Sequence, residues 1–266
     1  MKILVVGDPH GDISKIRDSE LKKADIILIP GDIGKATLAR KHAFETVERK
    51  KQGLSEKEYT PKESLAVHME IHNSTINILK HLVKFAPVYT IQGNVGIPSK
   101  RESKRREKKY KLKHPSTKDE LKKIKNLHLV KNRLMIINGL RIGFLEYFVD
   151  NSWVKEFKSK DKKVITSAKR GTKKAEKVLR GFNNLDILLC HQPPFGVLDR
   201  VNFPGVPKDW LGKRAGSKVI LNYIKKKQPR YVFCGHMHEN KGKAKIGKTL
   251  VYNAGSVGDY VLLDIK

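Results

Sequence analysis

MKILVVGDPHGD, residues 1–12, is the stretch that decides the fold. Its aliphatic run, residues 3–6, stops at a glycine and is followed at once by Asp8, His10 and Asp12. This pattern is typical of a buried β-strand that ends in a polar loop. Because alternate residues of an extended chain point the same way, Asp8 and His10 are expected to face one point. A carboxylate and an imidazole placed together suit a metal site better than a core.

The composition of the 266-residue chain is strongly basic. Its 56 Lys and Arg outnumber 27 Asp and Glu, which gives a formal net charge of +29. Such a field attracts polyanions: nucleic acid, nucleotides or anionic lipid headgroups. Lysine-rich heat-adapted proteins are the alternative, but they raise Glu together with Lys, and here the acids are too few. We predict one α/β domain over residues 1–266, with basic insertions at about 97–125 and 155–177.

Cysteine usage and hydropathy indicate the compartment. Cys190 and Cys234 each end an apolar run, which favours two reduced, buried thiols over a disulfide. The N-terminal apolar run is too short for a signal peptide, and no small-residue cleavage site follows it. No stretch approaches the roughly 20 apolar residues of a membrane span. We therefore expect a cytoplasmic protein without a membrane span.

Four later apolar runs also end in metal-ligand residue types. They lie at residues 26–29, from 88 onwards, at 185–190 and at 231–234, and the polar residues that follow are Asp32, Asn94, His191, His236 and His238. Each of these alone has an ordinary explanation as a turn residue, a cap or a core imidazole. Strand ends are where function collects in α/β sheets. Seven ligand types at five successive strand ends therefore favour one shared metal site.

The remaining pattern predicts helices and a hairpin around these strands. Helices are expected from Asp12 or Ser14 to Lys23, at 64–85 and at 217–227, with a polar helical excursion at 35–62. Asn138-Gly139 predicts a hairpin between 133–138 and 141–145, and residues 243–265 alternate like antiparallel strands. The segment 97–125 is interpreted as an insertion or a flexible arm. His68 and His72, one helical turn apart without a carboxylate partner, are interpreted as packing or surface residues.

In order along residues 1–240, the motifs DPH, GD, GNV, CHQPP and GHMH resemble those of the calcineurin-like metallophosphoesterase superfamily, in particular its small prokaryotic or archaeal-type predicted phosphoesterases. The resemblance implies an α/β fold with a two-sheet β-sandwich flanked by helices. It also implies two divalent metal ions, the first held by Asp8, His10 and His238 and the second by Asn94, His191 and His236. Asp32 would bridge both ions, and Asp8, Asp32 and Asn94 would also serve catalysis.

The chemistry of these residues agrees with that assignment. Carboxylates mixed with imidazoles suit Mn²⁺ best in our interpretation, with Zn²⁺, Fe or Ni²⁺ as alternatives. Two such ions can lower the pKa of a shared water, so that metal-bound hydroxide attacks the phosphate. Asp12 is either an orienter of His10 or a cap of the next helix.

One departure from the family pattern bears on the reaction. Many members follow Gly-Asn with a His that protonates the leaving group and then an acid, whereas this chain has Val95 and Gly96. Some family members without that His are phosphodiesterases, so the resemblance implies a phosphodiesterase acting on a nucleotide or nucleic-acid phosphodiester rather than a monoesterase, with His114 as a weak candidate for the missing acid. The alternative is a basic protein that binds nucleic acid or ribonucleoprotein on the same fold with little or no catalysis. The missing His and the net charge of +29 favour that alternative, whereas the seven retained ligand positions favour the enzyme. In both hypotheses the basic segments contact nucleic acid.

Overall fold

The computed structural model describes residues 1–203 and 206–265. Within these ranges the strands are β1 Lys2–Val6, β2 Ile26–Ile29, β3 Val88–Thr90, β4 Leu127–Leu129, β5 Arg133–Ile137, β6 Leu140–Leu145, β7 Ile187–Cys190, β8 Tyr231–Cys234, β9 Gly242–Ile246, β10 Thr249–Asn253 and β11 Tyr260–Asp264. They form two sheets, one in the order β11-β1-β2-β3-β4 and one in the order β5-β6-β7-β8-β10-β9. The strands from β1 to β4 are parallel, as are β6, β7, β8 and β10, and antiparallel strands lie at the edges.

Helices cover the outer faces of both sheets. They are α1 Asp18–Leu21, α2 Thr37–Lys51, α3 Pro61–Leu82, α4 Lys100–Tyr110, α5 Thr117–Leu121, α6 Asn151–Glu156, α7 Lys162–Arg180 and α8 Lys218–Lys227, with a short 3-10 helix at His238–Asn240. The α3 helix begins with a capping box between Thr60 and Glu63 and has Pro61 in its first turn, a combination that satisfies free backbone donors. It therefore starts earlier than the 64–85 span predicted and ends at Leu82.

Strand β1 shows why the chain forms two packed sheets. Ile3 and Val5 lie in the core between the sheets, together with residues such as Phe144 of the second sheet. Leu4 and Val6 point the other way and pack under the helices of the first sheet. A strand that is apolar on both faces must be covered on both, so the sandwich lies between helical layers. The predicted α/β two-sheet sandwich flanked by helices is confirmed.

Several local predictions are confirmed. The strands β5 and β6 pair antiparallel through a turn in which Asn138 and Gly139 both have positive φ, 48° and 83°. Such a two-residue turn matches the twist of a hairpin. His68 and His72 are packing residues, since a ring nitrogen of His68 lies 2.7 Å from the Pro115 carbonyl oxygen and one of His72 lies 2.9 Å from the Thr117 hydroxyl oxygen. The expected lack of a carboxylate partner is wrong for His72, because its Nε2 atom lies 2.9 Å from Oε2 of Glu120 on α5.

Two helix predictions need correction. The helix expected to begin at Asp12 or Ser14 is confined to α1, because the Asp12 carboxylate accepts a hydrogen bond from the Ser14 backbone at 2.7 Å and forms a local turn instead. The segment 97–125 is not a free arm: it forms α4 and α5, and buried Ser103 donates to the Pro115 carbonyl at 3.0 Å. The contact that ties α4 to α3 is long-range, because Arg106 donates to the Ser64 hydroxyl at 3.1 Å, and no pattern within the segment 97–125 contains it.

Two strand assignments also differ from the predictions. The strand β4, which pairs with β3, was not expected from the sequence. Within 243–265, β9 and β10 pair antiparallel as predicted, but β11 joins the other sheet and pairs antiparallel with β1. Both differences concern pairings between distant segments, which residue patterns within a strand do not specify. In the described part of the chain, no helix has the length and apolar character needed to cross a membrane.

The thiols of Cys190 and Cys234 are buried and free, and burial raises the pKa of both. Because the thiolate is the reactive form, we expect the native protein not to react with 5,5′-dithiobis(2-nitrobenzoate) within minutes and to release two equivalents of chromophore in guanidinium. A Ser55→Cys variant, with an exposed thiol, should react at once. Rapid labelling of the native wild type would contradict this burial.

Candidate metal centre

The Asp8 carboxylate is fully buried just beyond the end of β1. Its Oδ2 atom accepts a hydrogen bond from the His236 backbone at 2.5 Å and lies 3.3 Å from His238 Nε2. Its Oδ1 atom has no hydrogen-bond partner within the described residues and lies 3.8 Å from His191 Nδ1. A buried carboxylate oxygen without a partner is costly, and a bound cation would satisfy it. The site therefore fits a metal ion.

The first predicted ligand set is assembled. Asp8, His10 and His238 bring ligand atoms within 4.8 Å of one another, and the two histidine Nε2 atoms are 3.3 Å apart. Burial lowers the pKa of His10 to about 4. An imidazole that stays neutral at neutral pH keeps the lone pair that a metal ion requires.

Asp32 lies between the two predicted sets. Its Oδ2 atom is 3.7 Å from His10 Nε2 and 3.6 Å from His191 Nε2, and its Oδ1 atom accepts a hydrogen bond from the Val95 backbone at 2.7 Å. Burial raises the pKa of Asp32, and the nearby Asp8 charge adds to the effect. A divalent cation would offset this cost of placing two carboxylates together. The position suits the bridging role expected from the sequence.

The second predicted set also converges. Asn94 Oδ1 lies 2.7 Å from His191 Nε2 and 2.8 Å from His236 Nδ1. His191 Nδ1 donates a hydrogen bond to the Pro30 carbonyl at 3.0 Å, which leaves its Nε2 lone pair directed at this point. Burial, with His191 nearby, lowers the pKa of His236 to about 3, so this imidazole is neutral as well. Asp8, Asp32 and His191 form a further group of close ligand atoms, so Asp8 contributes to both halves of the cluster.

Glycines before the ligands let the strand ends approach. Gly93 precedes Asn94, and an added Cβ there would overlap the Asp32 carboxylate; Gly235 precedes His236, and an added Cβ would overlap the Asp8 carboxylate. In each case one strand end presents its glycine to the carboxylate of another. The Gly-Asn and Gly-His pairs of the sequence therefore reflect close packing around the ligands.

Two side chains near the cluster were missed by the sequence reasoning. The Tyr147 ring centroid lies 5.6 Å from that of His191 and 5.7 Å from that of His236, and burial raises the pKa of its hydroxyl. Its place just beyond β6, at another strand end, was a signal that could have found it. Arg40 of α2 lines the space beside His10 and His238. No local pattern marks that arginine.

Two residues with roles expected from the sequence lie elsewhere. His114 is buried between α3 and α4, with its ring nitrogens 3.3 Å from the Ser64 hydroxyl oxygen and 2.7 Å from the Leu112 carbonyl oxygen. A general acid must reach the substrate, so the structure contradicts that role for His114. The Asp12 carboxylate is exposed and bonds Ser14, so it neither orients His10 nor caps α1.

The sequence comparisons identify the family. The family described as "Metallophosphoesterase, calcineurin superfamily" matches residues 2–266, and the chain belongs to this family. The chain is also 32% identical over 72 residues to UPF0046 protein K07C11.7 of Caenorhabditis elegans. That match covers 27% of this chain and only 22% of the relative, so it carries no statement about the relative as a whole.

The structural comparisons agree on the fold. One solved crystal structure matches with a TM-score of 0.56 and 17% identity, covering 99% of this chain and 94% of its own. The protein TT1561 of Thermus thermophilus matches with a TM-score of 0.40 and 15% identity, covering 99% of this chain and 93% of its own. The first match supports the fold assignment, and the second is too distant to support an argument.

We expect Gly235→Ala to lower the bound metal by at least one equivalent, because its new Cβ overlaps the Asp8 carboxylate. Elemental analysis after gel filtration measures this, and circular dichroism checks the fold. Gly96→Ala is the matched control, since its Cβ would meet only Gln92 Nε2 at 3.9 Å. Full metal content in Gly235→Ala would contradict the assignment of Asp8 as a ligand.

Proposed function

We infer from the family and from the convergent ligand-type side chains that the protein is a metal-dependent phosphoesterase. We propose, more narrowly, that it is a dinuclear phosphodiesterase that hydrolyses a nucleotide or nucleic-acid phosphodiester. The observation that carries this proposal is the position of Val95 beside a complete cluster: its backbone N–H donates to Asp32, and its side chain has no proton to give. The proposed ligands are Asp8, His10, Asp32, Asn94, His191, His236 and His238. Manganese is the proposed metal, because the donor set mixes carboxylates with imidazoles.

The chain's own residues hold the reacting groups in place. When bound, the two ions would lower the pKa of water and offset the negative charge of the phosphate. Hydrogen bonds from Val95 to Asp32 and from His191 to Pro30 fix the orientation of these side chains before substrate arrives. Asn94 is exposed, and it places an amide oxygen at the mouth of the cluster. The geometry therefore suits binding of a phosphate from the open side.

The lack of a protein acid at Val95 determines which esters should react. A positioned general acid contributes about 10²- to 10⁴-fold, mostly for leaving groups of high pKa. An aryl phosphodiester has a leaving group that departs without protonation. Alkyl and nucleoside leaving groups need a proton from another source, such as water.

The test combines metal content with a substrate series. We expect the wild type with Mn²⁺ to hydrolyse bis-p-nitrophenyl phosphate faster than p-nitrophenyl phosphate, and to favour aryl over alkyl diesters by about 10²-fold or more. Asp32→Ala should lose both the activity and bound metal, because the shared carboxylate is gone. Asp18→Ala, which removes a carboxylate from α1 at the surface, is the control.

Two results would overturn this proposal. Two equivalents of metal bound to Asp32→Ala would exclude the bridging role of that carboxylate. A wild type that bound metal but hydrolysed only monoesters would exclude the phosphodiesterase.

A basic groove favours the second candidate function, nucleic-acid binding with little or no catalysis. It is a cavity of about 680 Å³ between the Tyr147–Val149 loop and α7, and Lys162, Lys163, Arg170 and Lys174 line it. Tyr147 forms its inner wall and also contacts His191 and His236, so the groove runs up to the ligand cluster. Cations on one helix face suit backbone phosphates, which are read without sequence specificity.

Binding of single-stranded RNA should be salt-dependent through this groove. Replacing Lys163, Arg170 and Lys174 together with Gln should reduce the slope of log K against log[salt] by about 0.7 for each phosphate that the variant no longer neutralises. Fluorescence anisotropy of a labelled oligonucleotide measures the slope. The matched control replaces Lys225, Lys226 and Lys227 of α8 and removes the same charge. Equal slopes in the groove variant and the wild type would place the nucleic-acid contact elsewhere.

A further inference from the structure

An aromatic cavity opens beside the metal-ligand cluster. Its volume is about 670 Å³, and we name it for its rings, Trp153, Phe157, Phe203 and Trp210. Its lining also includes Asn94, His236 and His238, so the cavity and the ligand cluster are continuous. The rings come from α6 and from two loop segments of the chain, none of which carries a ligand motif.

The ring cluster is anchored to the site by packing. Phe157 is buried, and it belongs to the same apolar cluster as Met237, the residue between His236 and His238. The Trp210 centroid lies 4.9 Å from that of Phe157 with the rings at 67°, and 6.1 Å from that of Trp153 with the rings at 88°. These edge-to-face contacts are a stable aromatic geometry, so the rings hold their places relative to the ligands.

The cavity combines an apolar aromatic surface with nearby cationic side chains. Phe203 is 41% exposed and Phe44, on α2, is 60% exposed at its edge. Arg40 lines the cavity together with the histidines and one carboxylate, that of Glu239, and Lys213 Nζ is 5.5 Å from the Phe157 ring centroid. A ligand that fits must therefore present a flat apolar group to the rings and negative charge to the cations and the metal centre.

We infer that the aromatic cavity is the subsite for the base of a nucleotide, so that the substrate is a phosphoester of mononucleotide size. This rests on the proposed function for the phosphoryl end, which lies at the ligand cluster next to Arg40. The volume is within the 300–1,000 Å³ typical of small-ligand pockets. Stacking of a base on the partly exposed tryptophan rings and on Phe203 is favourable. Arg40 is then a binding residue for the phosphate.

The two tryptophans provide a direct measurement. Trp153 and Trp210 are the only tryptophans of the chain, and both line this cavity, so intrinsic fluorescence reports on it alone. We expect adenosine 5′-monophosphate to quench the fluorescence of the metal-loaded protein saturably. Ribose 5-phosphate, which lacks the base, should bind about tenfold more weakly or worse, the effect of one missing stacking interaction.

Variants separate stacking from phosphate binding. Trp210→Leu keeps Trp153 as the reporter. It should weaken binding of adenosine 5′-monophosphate by about tenfold and leave the affinity for ribose 5-phosphate unchanged. Phe203→Ala should act in the same direction, and because that residue is 41% exposed we expect the variant to fold. Arg40→Gln should weaken binding of both ligands, because both carry the phosphate. Tyr110→Leu on α4 is the control and should weaken neither.

The outcomes distinguish this inference from the proposed function. Equal affinity for the two phosphates, or an unchanged ratio in Trp210→Leu and Phe203→Ala, would overturn the base subsite even if diesters were hydrolysed. Tighter binding of octyl phosphate than of adenosine 5′-monophosphate would also overturn it, in favour of an alkyl chain. Base-dependent binding without hydrolysis of any diester would support the base subsite and overturn the proposed phosphodiesterase activity.

Discussion

The buried charge of Asp8 is the constraint on which the site depends. Its carboxylate has one oxygen held by the His236 backbone and His238, and another with no hydrogen-bond partner among the described residues. Burial opposes ionisation, but the neighbouring His191 and His238 lower the pKa of Asp8, so the charge persists. A buried anion stays only if cations face it. Metal ions held by the histidines at the ends of β7 and β8 would supply that positive charge.

The fold positions the Asp8 carboxylate through strand β1. An apolar strand with both faces covered places Asp8 at the edge where the two sheets meet, and the parallel strands beside it end at the same edge. Because ligands from both sheets must converge within hydrogen-bond distance, the strand ends pack with glycine against carboxylate. The two-sheet sandwich and the ligand cluster are thus one solution to a single packing problem.

This explains what the sequence predicts and what it does not. Alternation, apolar runs and the residue after each run are local, so β1, the hairpin and the seven side chains that the structure brings together could be predicted. The short length of α1 depends on a competing hydrogen bond from the Ser14 backbone to Asp12. The segment 97–125 is structured partly because α4 contacts α3, a contact between segments far apart in the chain. Tyr147 and the aromatic cavity combine segments far apart in the chain. Their assembly is a property of the packed fold, and no window of sequence contains it.

The residues proposed to bind metal and those proposed to choose the substrate come from different parts of the fold. Strand ends supply the proposed metal ligands, so the positions of these side chains are tied to the sheets. Arg40, Trp153, Phe203 and Trp210 come from helices and loops, which can change without disturbing the sheets. Val95 belongs to both groups. Its backbone N–H holds Asp32 in place, and its side chain cannot donate a proton to the leaving group. Under the proposed function, this chain keeps the ligand cluster, has no acid at Val95 and lines the entrance with aromatic rings, so it would keep the reaction centre and differ in which ester it accepts.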